Sequence, residues 1–180
     1  MRVDAKCKNL KISIRIKTPI NKTLLEKKGI QFVEKRQNFN LKIAGACITF
    51  YKHTKNTLHV TGIKSKSQLT SIDYFIRSDM ENTPTSYRVD NSLFSFKNAT
   101  GSKHINFVSA IEQVEKSGFY GCSYTPEIFP ALFLKPSASC KQAGFPTILL
   151  FSSGSVVLLG GKCLVKVDIA IQMLRNLTIE

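Results

Sequence analysis

The segment Phe151-Ser-Ser-Gly-Ser-Val-Val-Leu-Leu-Gly-Gly-Lys162, with Tyr124-Thr-Pro-Glu-Ile-Phe-Pro130 upstream of it, decides how this chain is read. Apolar runs flank Ser153-Gly154, a pair suited to a tight turn, so the longer segment reads as a hairpin. Phe151 stands where the first strand meets the turn, and Phe129 closes the upstream segment. An aromatic ring held at a sheet end loses little entropy when it inserts into a partner, which makes it a suitable wedge. A weaker copy of the layout lies in the first half, in Phe39, Ile48-Thr-Phe50 and Val60-Thr-Gly-Ile-Lys64.

The composition narrows the partners. The chain has 180 residues, and its apolar fraction of 43% supplies a genuine core rather than a disordered segment. Lys and Arg number 26 against 12 Asp and Glu, a formal charge of +14, which points to an anionic partner and first of all to nucleic acid. A membrane is not expected. No basic amphipathic helix stands out, and the apolar stretch 147–159 is interrupted by Ser152-Ser-Gly-Ser155, far short of the roughly 20 residues that span a bilayer.

The five cysteines are odd in number and form no Cys-x-x-Cys pair, which argues against a disulfide framework or a zinc site. Together with the polar opening after Met1, this sets a reducing, intracellular compartment as the expectation. The sequons at Asn21, Asn98 and Asn176 are read as chance. Catalysis is not expected either, and no cofactor with it. His53, His59 and His104 sit near no ligand-spaced cluster, and no phosphate loop, dinucleotide fingerprint or Gly-x-Ser-x-Gly occurs.

The chain divides into two halves that begin alike, 1–88 and 89–180. Each opens on an extended run containing Lys-Asn, at Lys8-Asn9 and Lys97-Asn98. A short helix follows, over 21–28 and 109–116, the second stopped by Ser117-Gly118. Strands are predicted over 30–34, 39–44, 47–51 and 57–63, then over 119–124, 131–135, 146–152 and 155–161. Each half closes on an amphipathic helix: 67–77 with Leu69, Ile72, Phe75 and Ile76 on one face, and 164–177 with Val167, Ile171 and Leu174. The polar stretch 77–91, holding Pro84, reads as the linker, and a period near 90 residues fits a duplicated half-domain.

At these motifs the chain resembles the TATA-box-binding protein (TBP) family. The second half carries the clearest match, in Asn98-Ala-Thr-Gly-Ser102, Tyr124-Thr-Pro-Glu-Ile-Phe-Pro130 and the 149–162 hairpin; the first half matches more loosely. The resemblance implies an α+β fold: a saddle whose two tandem repeats form one curved antiparallel sheet, with helices on the convex face. It also implies a monomer that binds the minor groove of A/T-rich promoter DNA, wedges phenylalanines into it and nucleates transcription initiation in the nucleus, or at a viral transcription site.

By that resemblance the wedges are Phe129 and Phe151 in one repeat and Phe39 and Phe50 in the other, with Phe32 competing for the place of Phe39. The groove floor falls to Asn9, Asn98, Thr100, Ile48, Thr61, Leu149, Val157 and Leu159. Phosphate contacts fall to Lys42, Lys64, Lys135 and Lys162, which position the protein without reading sequence. Glu127 matches an acidic residue that binds a factor of the transcription factor IIB type, and a IIA-type factor is the other implied partner.

The chain departs from the family pattern in several places. Lys11 and Thr100 stand where the family has valines, His59 and Leu159 replace the usual Val and Thr, and Ser155 replaces a lysine. The loops 52–56 and 137–144 are lengthened. These departures keep two other readings open: a protein-interaction module that retains the fold but binds nucleic acid weakly, and general electrostatic binding of DNA or RNA.

Overall fold

The computed structural model describes residues 5–96 and 105–176. Its strands are β1 (Lys6–Ile16), β2 (Val33–Glu34), β3 (Asn38–Ile43), β4 (Ala46–Tyr51), β5 (Thr57–Ile63), β6 (Pro84–Phe96), β7 (Tyr120–Ser123), β8 (Ala131–Pro136), β9 (Thr147–Phe151) and β10 (Val156–Leu159). The helices are α1 (Lys22–Lys27), α2 (Lys66–Tyr74), α3 (Phe107–Lys116), α4 (Ala138–Gln142) and α5 (Leu164–Arg175). The chain forms two compact units, one of residues 8–90 and the other of 5–7 with the described residues from 91 onward.

In the first unit the strands lie in the order β2-β3-β4-β5-β1-β6, and in the second β6-β10-β9-β8-β7. The pairings between β1 and β5, and within β2–β5 and β7–β10, are antiparallel. Alternation separates the two faces along β3, β4, β9 and β10. On β4, Ala46, Ile48 and Phe50 are buried while Cys47, Thr49 and Tyr51 are half-exposed. Leu25 of α1 and Ile72 of α2 add to the first unit's core, with Phe75 and Ile76 beyond them. In the second unit Ile148, Leu150, Val156 and Leu158 pack with Val114 of α3 and Val167, Ala170 and Leu174 of α5.

The helix starts follow local chemistry. Asn21 and Asn106 cap α1 and α3 with their side-chain oxygens. Ser65 and Gln68 form a reciprocal capping box on α2. The stretch predicted as one helix over 67–77 instead widens to a π-helical turn over Phe75–Asp79, where the Met80 amide donates to the Phe75 carbonyl at 3.0 Å.

The predicted linker 77–91 is corrected by the structure: from Pro84 onward it is β6, thirteen residues long. Its polar character reflects an open face, and Pro84 is tolerated because it is the first residue of the strand. Asn82, buried ahead of it, donates to the Thr18 carbonyl and hydroxyl and accepts from the Thr18 and Thr83 amides, so the approach to β6 is fixed. The lengthened loop 137–144 likewise contains a short helix, α4.

Candidate nucleic-acid interface

In the second unit the alternation gathers most of the predicted residues on one side of the sheet. Leu149 and Phe151 on β9 and Val157 and Leu159 on β10 interleave with the core residues Ile148, Leu150, Val156 and Leu158. Val157 pairs with Leu149 on one side and Ser95 on the other, and Leu149 pairs with Phe133. The result is a partly exposed apolar face.

Phe129 reaches this face from the loop 124–130, which is folded by amide donation from Ile128 and Phe129 to the Thr125 carbonyl. Its ring lies 5.5 Å from Phe133 and 6.0 Å from Phe151, the latter near edge-to-face, and remains 38% exposed. Phe133 was missed by sequence reasoning, although its place between Leu132 and Leu134 in a period-2 run signals it. Lys135 follows Phe133 at the same parity and is exposed, as is Lys162. Glu127 is exposed on the same loop as Phe129, beside Ile128, which is 82% exposed.

The first unit is arranged differently. Phe39 and Phe50 are paired across β3 and β4 and stack at 4.5 Å, 11° from parallel, both buried in the core together with Ile48. Phe32 packs against Phe39 at 5.2 Å. The open side carries Asn40, Lys42, Thr49, Tyr51, His59 and Thr61 instead. The register explains the difference. Thr49 pairs with His59 as Leu149 pairs with Val157, and Gly62 and Gly160 follow at the same interval, both with positive φ (84° and 75°). Tyr51 is therefore the counterpart of Phe151, and Phe50 that of the core residue Leu150. A one-residue offset exchanges faces.

A polar network replaces apolar contacts at the centre of this face. The Ser13 hydroxyl donates to Asp90 Oδ2 at 2.5 Å and lies 3.1 Å from His59 Nδ1. The Arg88 guanidinium donates to Asp90 Oδ1 at 2.9 Å. Burial is the main reason the His59 pKa lies below its ordinary value, outweighing the attraction of Asp90. Burial opposes ionisation of Asp90 too, but the Ser13 and Arg88 hydrogen bonds hold its carboxyl below the usual range. The serine sits between the acid and the imidazole and gives its proton to the acid, so this is a hydrogen-bond relay rather than a nucleophile beside its base. Ser13, Arg15, His59 and Arg88 border a pocket of about 240 Å³.

Asn9 is exposed, its side-chain oxygen accepts from the Gly62 amide at 2.8 Å, and its NH2 makes no hydrogen bond among the described residues. Lys64 is exposed between β5 and the Ser65 N-cap of α2, its backbone amide donating to Gln68 Oε1. Asn98 and Thr100 lie outside the described residues.

Residues 93–177 match the family model described as transcription factor TFIID, or TATA-binding protein. TATA-box-binding proteins 2 and 1 of Entamoeba histolytica are each 38% identical to this chain over 76 residues. The match covers 42% of this chain and 34% and 30% of those proteins, so it spans about a third of the length of the curated relatives. Among solved structures, the TBP of Methanococcus jannaschii superposes with a TM-score of 0.61 at 21% identity, covering 94% of each chain, which shows that the α+β antiparallel fold is that of TBP. The chain thus carries the TBP fold, and its second half, residues 93–177, is similar in sequence to the TATA-binding protein family.

Proposed function

We propose that the chain binds double-stranded promoter DNA in the minor groove, bends it by inserting aromatic rings, and recruits further initiation factors in the nucleus. One observation carries the reading: Phe129, Phe133, Leu149, Phe151, Val157 and Leu159 form a partly exposed apolar face, with exposed Lys135 and Lys162, within the family-matched segment. Apolar side chains suit a groove floor whose A·T pairs present only acceptors and no amine. Inserting a ring costs a few kcal/mol of unstacking, which flexible pyrimidine-purine steps reduce.

On this reading 1–88 and 89–180 act as two repeats on one duplex, and the protein binds as a monomer without catalysis. Phe129 and Phe151 are the wedge of the second repeat. In the first, Tyr51 takes the place given to Phe50, because Phe50 and Phe39 serve the core. The NH2 groups of Asn9 and Asn98 face the acceptors of the groove floor, beside Thr61 and Thr100. Lys42, Lys64, Lys135 and Lys162 hold phosphates. The exposed loop bearing Glu127 and Ile128 receives a IIB-like factor, and a IIA-like factor binds elsewhere.

The test combines binding and bending on A/T-rich duplexes. Replacing Phe129 and Phe151 together by Ala is expected to lower affinity at least tenfold and abolish the bend. Unchanged affinity in that double variant overturns the wedge. Binding with no sequence preference favours the interaction-module reading, which the polar open face of the first unit supports.

A further inference from the structure

In the minor groove every base pair offers acceptors, but only G·C adds a donor, the guanine 2-amine. A protein face reads that amine when it holds an unpaired acceptor. The second unit has none in the middle of its face: Leu149, Val157 and Leu159 are hydrocarbon. At the register position of Val157 the first unit has His59.

The protonation of His59 follows from its neighbours. Ser13 owns one hydroxyl proton and donates it to Asp90. The remaining contact of that hydroxyl, with His59 Nδ1 at 3.1 Å, is then a hydrogen bond in which Nδ1–H donates and Ser13 Oγ accepts. A neutral imidazole with its proton on Nδ1 has a bare acceptor at Nε2. Among the described residues His59 makes no other hydrogen bond, and its side chain is 24% exposed beside the pocket. Tyr51 packs edge-on at 5.2 Å and steadies the ring.

We infer that the first unit reads a guanine 2-amine through His59 Nε2, with Ser13 and Asp90 as positioning residues that fix its tautomer. This deepens the minor-groove reading above and rests on it. The bound site is then asymmetric, A·T where the second unit lies and with one G·C pair under the first. Burial above all favours the neutral ring; Lys11 on β1, Arg88 on β6 and His53 beyond β4 also oppose a further positive charge, with Arg15 bordering the same pocket, while Asp90 supports one. On acidification Nε2 gains a proton and becomes a donor, which no longer accepts from the amine.

The experiment is selection of bound duplexes from a random pool by the full chain at neutral pH, followed by inosine substitution in the selected sequence. Inosine removes the 2-amine of guanine and leaves its major-groove edge intact. The expected result is an A/T run with one G·C pair at fixed spacing, and about 3- to 10-fold weaker binding when that guanine becomes inosine. The guanine-to-inosine difference should shrink as the pH is lowered below the ordinary imidazole range, and vanish at neutral pH in His59→Val and Asp90→Asn. Because the inosine change alters only the DNA, it is independent of whether a variant folds. Equal binding of guanine and inosine at neutral pH, with the Phe129 and Phe151 dependence intact, overturns this inference alone. Absence of sequence-selective duplex binding overturns the minor-groove reading with it.

Discussion

Phe50 and Tyr51 are adjacent on β4, and the period of two turns them to opposite faces. Ring identity alone drew the resemblance to Phe50, whereas the cross-strand partners assign it with Leu150 to the core. The nearness of Phe129 and Phe151 on one face was legible because proline, glycine and turn residues fixed their flanks; the first half lacks that punctuation, so its alignment could slip by one. Phe50→Ala removes a fully buried ring stacked on Phe39 and should cost about 3–5 kcal/mol in urea unfolding. DNA affinity of the folded fraction should be unchanged. Tyr51→Ala should do the reverse, weakening DNA binding severalfold with at most about 1 kcal/mol lost. Equal effects of the two on both measurements would contradict the assignment of faces.

At the scale of elements, hydrophobic alternation located the strands to within a few residues, and β5 coincides with its predicted span. It failed at β6, where exposed polar residues such as Thr85, Ser86 and Arg88 carry no apolar stripe and the strand is held by its neighbours' hydrogen bonds. The Gly160-Gly161 pair at the end of β10 shows two separate requirements. Gly160 adopts a left-handed φ, while a Cβ on Gly161 would lie 2.5 Å from Val167 Cγ2 and 2.7 Å from Ser92 Oγ. Gly161→Ala should therefore push α5 from the sheet and cost about 1–3 kcal/mol, seen as a lowered Tm. A neutral result would mean that Val167 yields freely.

Another element-scale prediction concerns the edge strand β2, where Glu34 accepts from Lys22 of α1 at 2.8 Å and from Lys52 at 2.9 Å. The Lys22 hydrogen bond, followed by that of Lys52, holds the Glu34 pKa down at about 2, against an ordinary 4.5. A pKa depressed on folding adds stability above the unfolded value, and that stability is lost as pH falls toward the folded one. The contribution is thus present above about pH 4.5 and disappears between there and about pH 2. Because the group is exposed, the effect is small and salt-sensitive. Thermal melts of wild type and Glu34→Gln should differ at pH 6 and converge toward pH 2; a constant difference would mean that the carboxylate's charge contributes nothing.

For the whole molecule the governing quantity is the charge of +14. A polycation binding DNA releases condensed counterions, and log K falls against log salt by roughly 0.9 for each phosphate neutralised. Lys42, Lys64, Lys135 and Lys162 are all exposed, and none makes a side-chain ion pair among the described residues, so each is free to take a phosphate. Replacing all four by Gln should flatten the slope by about 3 to 4, read by fluorescence anisotropy across a range of KCl concentrations. Phe129→Ala should instead lower affinity by the same factor at every salt concentration, because an inserted ring releases no counterions. The two perturbations separate positioning from insertion on one plot: lysine removal rotates the line, and ring removal translates it. A quadruple variant whose line stays parallel to wild type would mean that these lysines are ordinary solvated charges and that phosphate contacts come from other basic residues.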